Sequence, residues 1–251
     1  MYILGIRIDT FPRTAAIEKV RDFLYENDPK LIFTPNPEML VDAQKDSYFK
    51  EILNKGDLNI CDGKGIQFVA KEKIERISGV DFLGDVCTVA EKEGKSIYLL
   101  GSGSDEVLRD CQKNLQSQFP LLKIVGQNKG PRIQVNFDHK NFRVSYPHPQ
   151  ENEKVIDDII DTAPDILFVA FGHIKQEKWI YEFLPQLPSV KIAMGVGGSF
   201  DFVAGKVKRA PEFLRSIGLE WLWRLMREPR RIKRIWKATA VFLYYFFKNK
   251  L

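Results

Sequence analysis

The chain has 251 residues, enough to bury a substantial core as one large domain or two small ones. Its 44% hydrophobic and 28% charged residues are ordinary globular values, which argue against a largely disordered, collagen-like or polytopic membrane protein. No apolar stretch reaches the roughly 18 uninterrupted residues of a spanning helix. Three widely spaced cysteines and the absence of a basic leader favour a cytosolic chain without a disulfide framework or zinc knuckle.

The net charge of +5 is unevenly distributed along the chain. Residues 206–251 carry thirteen Lys and Arg against three Glu, whereas residues 1–205 carry 25 basic and 30 acidic groups. A mildly acidic body with a basic C-terminal segment is suited to an anionic surface, either nucleic acid or phospholipid. We therefore divide the chain into an α/β catalytic core, 1–205, and a basic helical appendage, 206–251.

Short apolar runs alternate with helix-length patterns through most of the chain. The expected strands, each bounded by Gly, Pro, Asn or Asp, are 2–8, 31–33, 58–61, 97–100, 124–125, 166–170 and 190–194. Helices with apolar residues at three- and four-residue spacing are expected at 15–25, 80–93 and 106–119. The polar stretch 128–152 is expected to be a connection. This alternation predicts an α/β fold with a Rossmann-like, mostly parallel sheet flanked by helices.

Five polar or glycine-rich loops follow the predicted strands. Ligands of open α/β sheets bind beyond the carboxyl ends of the strands, so these loops are expected to form one site. The candidate residues that they contribute are Thr34, Asn36, Asp62, Gly101, Gly103, Gln176, Gly195, Gly197, Gly198 and Asp201.

Asp62 directly follows an apolar strand and precedes a glycine. A partly desolvated carboxylate there would act as a general base with a raised pKa. Alternatively, Asp62 caps the following helix, expected at 65–71. Thr34 and Asn36 on the neighbouring loop would supply hydroxyl and amide contacts, or would simply belong to an extended turn before a helix.

The two glycine-rich loops allow different interpretations. Residues 101–103 link a strand to a helix, so they would cradle a phosphate or form a tight turn capped by Ser104. Glu106 occupies the third glycine position of the dinucleotide fingerprint, which disfavours NAD. The three glycines of 195–198, with Asp201, favour a nucleotide or sugar site over a β-bulge, because glycine permits a close approach to the backbone. Gln176 begins a helix and would hold an anion or sugar hydroxyl, unless it is part of a solvated turn.

The basic appendage contains a helical stripe with aromatic residues. Cations around such a stripe, followed by the aromatic run 244–247, suit the interface of a bilayer. A packed C-terminal helix is the disfavoured alternative, and nucleic acid is not expected because no reader motif is present. The ten apolar or near-apolar residues 238–247 are too few to span, so attachment should be peripheral, on the cytoplasmic face of the plasma membrane.

No metal or other cofactor is expected. His139, His148 and His173 lack metal-ligand spacing, and no Asp-x-Asp pair is present. A diphosphate would then need arginine partners, since arginine binds phosphate through two parallel hydrogen bonds. The candidates for this role are Arg76, Arg209, Arg215, Arg224 and Arg227.

Taken together, these motifs resemble the WecG/TagA/CpsF glycosyltransferase family in order and spacing over nearly the whole chain. The matching segments are TPNPE at 34–38, DGKG at 62–65, SGVD at 78–81, KQEKW at 175–179, GVGGSFDFVAG at 195–205, KVKRAP at 206–211 and GLEW at 218–221. One departure is the pair His173 and Ile174, where the family usually has a small residue and a proline.

The resemblance implies transfer of N-acetylmannosamine from UDP-N-acetylmannosamine to the 4-hydroxyl of N-acetylglucosamine linked to undecaprenyl diphosphate, a step of wall teichoic acid synthesis. It also implies inversion, with Asp62 as the base, Thr34 and Asn36 beside the sugars, and Gln176, Asp201 and the glycines holding the donor. Another UDP-hexose or UDP-N-acetylmannosaminuronic acid is an alternative donor. A nucleotide-dependent oxidoreductase and a non-catalytic lipid-binding module are alternatives of other classes, and a homo-oligomer is left open.

Overall fold

The computed structural model describes residues 1–70, 74–138 and 141–248. Its centre is a six-stranded sheet with the order β4-β3-β10-β9-β5-β6, in which every neighbouring pair is parallel. The strands are β1 Tyr2–Ile3, β2 Ile6–Arg7, β3 Lys30–Phe33, β4 Leu58–Asn59, β5 Ser96–Gly101, β6 Lys123–Asn128, β7 Gln134–Asp138, β8 Asn141–Ser145, β9 Ile166–Ala170 and β10 Ile192–Gly195. The predicted α/β fold with a mostly parallel sheet is confirmed.

Helices surround this sheet and continue into the C-terminal segment. They are α1 Arg13–Phe23, α2 Pro37–Ala43, α3 Ser47–Lys55, α4 Lys64–Val69, α5 Gly79–Lys92, α6 Asp105–Gln118, α7 Pro149–Thr162, α8 Lys175–Phe183, α9 Ser199–Val203, α10 Glu212–Ser216, α11 Glu220–Arg227, α12 Ile232–Trp236 and α13 Phe242–Lys248. Single 3₁₀ turns cover Leu184–Gln186 and Pro229–Arg231, and a π-helical turn, Lys237–Val241, joins α12 to α13. The three helices predicted by periodicity, α1, α5 and α6, are confirmed within two residues.

The sheet separates two apolar layers. Side chains alternate between the faces of a strand, so Leu167 and Val169 of β9 enter one layer and Ile166 and Phe168 enter the other. The first layer contains the buried residues of α2, α3, α7 and α8, and the second contains those of α1, α5, α6 and α9. Burial on both faces explains why these strands are continuous apolar runs in the sequence.

Two predicted segments were wrong. Residues 2–8 form an antiparallel hairpin, β1–β2, outside the main sheet, because Leu4 and Gly5 adopt positive φ angles of 53° and 74° and reverse the chain. The expected connection 128–152 contains a second antiparallel hairpin, β7–β8, in which the rings of Phe137 and Phe142 pack 4.9 Å apart. The alternation of apolar and polar residues in β7 is the signal for this hairpin.

The appendage packs against the core along one face. Phe242 of α13 is only 1% exposed and joins the same apolar layer as α2. Arg234 and Lys237 form ion pairs with Glu38 and Asp42 of α2, at 2.8 and 2.6 Å. The packed-helix alternative therefore holds for this face. Residues 249–251 lie outside the described part, and within it no helix combines the length and the hydropathy needed to cross a bilayer.

Candidate active site

The loops that carry the candidate residues lie at one edge of the sheet, because the six strands are parallel. The chain leaves β3 and β9 for the layer that contains α2 and α8, but it leaves β10, which lies between them, for the layer that contains α9. Neighbouring loops that depart in opposite directions leave a crevice between them. Residues 195–198, which we call the glycine loop, lie at this crevice.

Asp62 and Thr34 come together at the first residue of α5. The Asp62 carboxylate accepts a hydrogen bond from the Gly79 backbone N–H at 3.3 Å. A Cβ atom on Gly79 would lie 3.4 Å from Thr34 Oγ1 and 3.5 Å from Asp62 Oδ2, so both side chains border this position. The capping alternative for Asp62 is wrong, since α4 begins after Gly63 without a side-chain cap.

Burial raises the pKa of Asp62 to about 6, against the opposing effects of the Arg76 charge and the Gly79 hydrogen bond. Loss of water disfavours the charged carboxylate, which explains the direction of the shift. A carboxyl group with this pKa is mostly ionised at neutral pH and still basic enough to accept a proton. Asp62 therefore has the properties of a general base.

Asn36 has a structural role that the sequence left open. Its Oδ1 accepts a hydrogen bond from the Met39 N–H at 3.1 Å and caps α2. The Asp62 N–H donates to the Pro35 carbonyl at 3.1 Å, which joins the loops after β3 and β4. Within the described residues the amide nitrogen of Asn36 makes no hydrogen bond, so it remains available to a ligand.

Gln176 holds the glycine loop from behind. This side chain is buried; its Oε1 accepts a hydrogen bond from the Gly197 N–H at 2.9 Å, and its Nε2 donates to Glu177 at 2.8 Å. A Cβ atom on Gly195 would lie 2.7 Å from Gln176 Nε2, so a side chain at this position would displace the amide. The solvated-turn alternative is therefore wrong, and Gln176 positions the loop through its backbone.

Gly198 and Asp201 stand at the far end of the glycine loop. Gly198 precedes α9, and a Cβ atom there would lie 3.7 Å from Asp201 Oδ2. Burial raises the pKa of Asp201, while the charge of Arg224 opposes the shift. The carboxylate is thus directed to the start of the short helix, where a sugar or ribose hydroxyl could donate to it.

The turn at 101–103 has the geometry of a tight strand-to-helix connection. Gly101 has φ = 115°, and a Cβ atom there would lie 2.7 Å from the Ala170 backbone. Ser104 caps α6 by accepting from the Val107 N–H at 3.4 Å. Close packing explains Gly101, whereas Gly103 faces open space with φ = 68°. A phosphate role for this turn stays a prediction.

The five candidate arginines occupy two adjoining regions. Arg209 bonds to Asp81 and Glu220, and the guanidinium groups of Arg209 and Arg224 lie 5.8 and 4.8 Å from the Phe202 ring. Arg227 lies 4.6 Å from the Trp223 ring.

Arg76 and Arg215 instead line a cleft of about 630 Å³, and the Arg76 charge lies close enough to Asp62 to lower its pKa against the effect of burial. Asp81 connects the two sets, because it pairs with Arg209 and, against the effect of burial, the charge of Arg215 also lowers its pKa.

Sequence reasoning missed a charge cluster that connects α2 to both the appendage and the loop before α8. His173 Nε2 lies 3.0 Å from Asp42 Oδ2, the same carboxylate that pairs with Lys237. Ile174 adopts φ = 71°, which proline cannot adopt because its ring fixes φ near −65°. The backbone of this loop therefore differs from that of a loop with proline at position 174. The signal for the cluster was the i, i+4 spacing of Glu38 and Asp42 on one helix.

Among residues 1–70, 74–138 and 141–248, no three His, Cys, Asp or Glu side chains are grouped so that they could hold a metal ion. His139 lies outside the described residues. Independence from metals stays a prediction.

These features are typical of an enzyme that binds an anionic ligand beside a general base: a parallel sheet, a crevice with a glycine loop, a carboxyl group of raised pKa and surrounding arginines. The chain matches the model of the glycosyl transferase WecG/TagA/CpsF family over residues 1–251, and it belongs to that family. It is therefore a glycosyltransferase, and the resemblance drawn from its motifs is confirmed.

Curated relatives come from Staphylococcus aureus and carry the name N-acetylglucosaminyldiphosphoundecaprenol N-acetyl-beta-D-mannosaminyltransferase. The protein of strain MW2 is 28% identical over 99% of this chain and 92% of its own length. The protein of strain MRSA252 is 29% identical with the same coverage.

Proposed function

We propose that this chain transfers N-acetylmannosamine from UDP-N-acetylmannosamine to the 4-hydroxyl of N-acetylglucosamine on undecaprenyl diphosphate, with inversion, in wall teichoic acid synthesis. The observation that carries the proposal is the Asp62 carboxyl group of raised pKa, next to Thr34 and on the same sheet edge as the glycine loop. The printed name of the relatives supplies the sugars and the lipid.

The proposed reaction is one displacement assisted by a base. Asp62 accepts the proton of the acceptor hydroxyl while that oxygen attacks the anomeric carbon of the donor sugar. The bond from the anomeric carbon to UDP breaks, and UDP leaves with the electron pair from the opposite face. Thr34 and Asn36 lie on the loop after β3, between the loops of Asp62 and of the glycines, where the reacting sugars would meet.

The donor would bind at the glycine loop. The Val196 and Gly197 N–H groups already donate to the Val169 carbonyl and to Gln176 Oε1, so the donor would meet the bare Cα of Gly198 and the Asp201 carboxylate beside it. Arg209 and Arg224, which lie against Phe202 one residue beyond Asp201, would neutralise the diphosphate as negative charge develops on it. Arg227, on the same helix as Arg224, would add a third charge.

Replacing Gly195 by alanine should raise the KM for the UDP-sugar about 10-fold or more. The new Cβ would displace Gln176, so the hydrogen bond that fixes Gly197 would be lost. Gly84→Ala is the matched control, since its Cβ meets no atom within 4 Å in the described structure. Initial rates at varied donor concentration provide the measurement. Equal KM values for the two variants would show that the amide contact does not shape the donor site.

Excess EDTA should leave most of the activity intact, because arginines rather than a metal ion would balance the charge of the leaving diphosphate. The measurement is UDP release with and without the chelator, followed by addition of Mn²⁺. Activity that disappears with EDTA and returns with Mn²⁺ would contradict this account of the arginines.

The test of the proposed function is an incubation of the purified chain with a panel of UDP-sugars and a short-chain lipid acceptor, followed by product mass and NMR. We expect one N-acetylhexosamine added in a β linkage, with UDP-N-acetylmannosamine as the preferred donor. Preference for another UDP-hexose or for UDP-N-acetylmannosaminuronic acid would correct the identity proposed for the donor sugar. No transfer from any UDP-sugar, or a change in nicotinamide absorbance instead, would refute the proposal.

The appendage would attach the enzyme peripherally to the inner face of the plasma membrane. Large aromatic side chains remain exposed on its last helices, among them Trp236, Tyr244 and Phe247, although the opposite face is packed on α2. Exposed aromatics among cations suit the bilayer interface, and each basic residue near an anionic surface contributes about 1 kcal/mol. This placement would bring the enzyme to an acceptor that stays in the bilayer.

A further inference from the structure

We infer that the cleft next to Asp62 binds the diphosphate and first prenyl unit of the lipid-linked acceptor, as a subsite separate from that of the donor diphosphate. This inference rests on the proposed function and assigns one of its two substrates to a place. We call the cleft the cationic cleft, and the residues that line it are Thr10, Pro12, Lys64, Gln67, Ile74, Glu75, Arg76, Arg215 and Ser216.

The charges of the cationic cleft suit a diphosphate. Within residues 1–70, 74–138 and 141–248, Lys64, Arg76 and Arg215 have no ion pair within 4 Å, and the Nε of Arg215 is buried without a hydrogen-bond partner. Glu75, the acidic residue of the lining, already accepts a hydrogen bond from the Arg13 backbone at 2.8 Å. Unused cationic donors at one place bind phosphate oxygens well, because charge-assisted hydrogen bonds are the strong ones.

The position of the cationic cleft relative to Asp62 favours the acceptor over the donor. In an inverting displacement the attacking oxygen and the leaving group lie on opposite sides of the anomeric carbon, and the base contacts the attacking oxygen. The glycine loop follows β10 near the middle of the sheet, whereas Asp62 follows β4 at its border. The described lining comes from the segments around β2, β4 and α10 and includes no residue of the loops after β5, β9 or β10. The cleft is therefore on the attacking side.

Apolar side chains on the same two helices suit a lipid chain. Phe68 of α4 is 78% exposed, and it is adjacent in sequence to Gln67 of the lining. Phe213 and Ile217, which flank Arg215 and Ser216, are also exposed. The segment just after α10 lies against the start of α4, since a Cβ atom on Gly218 would overlap the Lys64 side chain. Exposed apolar side chains near a cluster of cations suit a prenyl diphosphate, whose apolar chain is attached directly to its phosphates.

The test is calorimetric titration of the full chain with farnesyl diphosphate, inorganic pyrophosphate and UDP. The double variant Arg76→Gln, Arg215→Gln should bind farnesyl diphosphate about 10- to 100-fold more weakly and UDP as the unchanged chain does, within about twofold. If the double variant fails to fold, Lys64→Gln serves instead, because Lys64 is at an exposed position. This variant should also bind farnesyl diphosphate more weakly than the unchanged chain. Lys154→Gln on α7 is the matched control and should change neither affinity.

A separate variant tests the role of the lipid chain. Phe68→Ser should lower the affinity for farnesyl diphosphate several-fold and leave the affinity for pyrophosphate unchanged. Equal loss of affinity for both ligands would overturn the assignment of the prenyl unit to this cleft. Equal loss of UDP and farnesyl diphosphate in the arginine variant would make the cleft a donor site, and unchanged farnesyl diphosphate affinity would remove it as a subsite. Failure of sugar transfer with selective loss of farnesyl diphosphate binding would refute the proposed function but support the subsite.

Discussion

Replacing Asp62 by asparagine should lower turnover by about 10²- to 10⁴-fold, the usual contribution of a group that transfers a proton in the transition state. Asparagine has the same shape and its Oδ1 accepts the Gly79 N–H as the carboxylate does, so the start of α5 should be undisturbed. The affinity for UDP should change little, because Asp62 lies outside the glycine loop. Turnover is measured by UDP release and affinity by calorimetry.

The pH dependence provides a second readout of the same group. Because burial raises the pKa of Asp62 to about 6, the base is protonated and inactive below that value. The specificity constant kcat/KM of the unchanged chain should therefore rise as pH increases through about 6 and then level off. The Asp62→Asn variant should lack this limb.

Stability separates a catalytic role of Asp62 from a structural one. A carboxyl group whose folded pKa exceeds its unfolded value favours folding less as pH rises through that window, since the folded state must bury the charge. Removing the charge should therefore not lower the melting temperature at pH 7.5. Asp161→Asn, at an exposed position of α7, is the matched control and should keep full activity. Near-normal turnover of folded Asp62→Asn would exclude Asp62 from the mechanism.

The sheet was predictable because local patterns encode it, and the two hairpins show where such patterns fail. Strand β9 is a continuous apolar run, and its burial in both layers could be inferred from composition alone. The turn at Leu4 and Gly5 could not, since an apolar run from residue 2 to residue 8 does not reveal that the backbone reverses at positive φ. Periodicity reports which side chains are buried, and it does not report backbone direction.

The site was predictable only as a set of loops. Parallel strands bring Thr34 and Asp62 to one edge whatever the details of packing, so their proximity followed from the order of motifs. The partner of Asp62 at α5 is 17 residues away, and that of Gln176 in the glycine loop is 21 residues away. Contacts of this kind depend on how the helices pack on the sheet, which explains why the sequence left open whether Asp62 caps α4 and whether Gln176 is solvated.

The sequence shows that the appendage is cationic and aromatic, but it does not show which residues of the core the appendage contacts. Arg234 and Lys237 bond to Glu38 and Asp42, which lie 196 and 195 residues earlier in the chain. Both acidic side chains are buried, so their ion pairs with these cations hold the appendage against α2. The cations and aromatics that remain exposed are those available to lipid.

Deleting residues 206–251 should abolish binding to anionic vesicles and reduce activity to a small fraction. The deletion removes the exposed aromatic face together with Arg209, Arg215, Arg224 and Arg227, so the proposed membrane contact and the charges of the proposed diphosphate sites would both be lost. A shorter deletion of 237–251 does not separate these effects, because it removes the buried Phe242 and leaves Asp42 without its lysine.

Point variants separate membrane binding from catalysis more sharply. Replacing the exposed Trp236, Tyr244 and Phe247 together by serine should weaken vesicle binding by at least about 100-fold, since burial of a large apolar side chain contributes about 1.5–3 kcal/mol. Catalysis on a water-soluble acceptor analogue and the melting temperature should stay close to those of the unchanged chain. Residual vesicle binding should weaken further with salt, because the remaining attraction is between cations and anionic lipid.

The control for the triple variant is Phe242→Ser, on the packed face of the same helix. Phe242 belongs to the apolar layer shared with α2, so this substitution should lower the melting temperature and impair catalysis on the soluble analogue as α2 loosens around Asn36. Vesicle sedimentation, calorimetric melting and UDP release measure the three quantities. If the triple variant binds vesicles as well as the unchanged chain does, the exposed aromatics do not contact lipid. The appendage would then act only as a packed element that completes the active site.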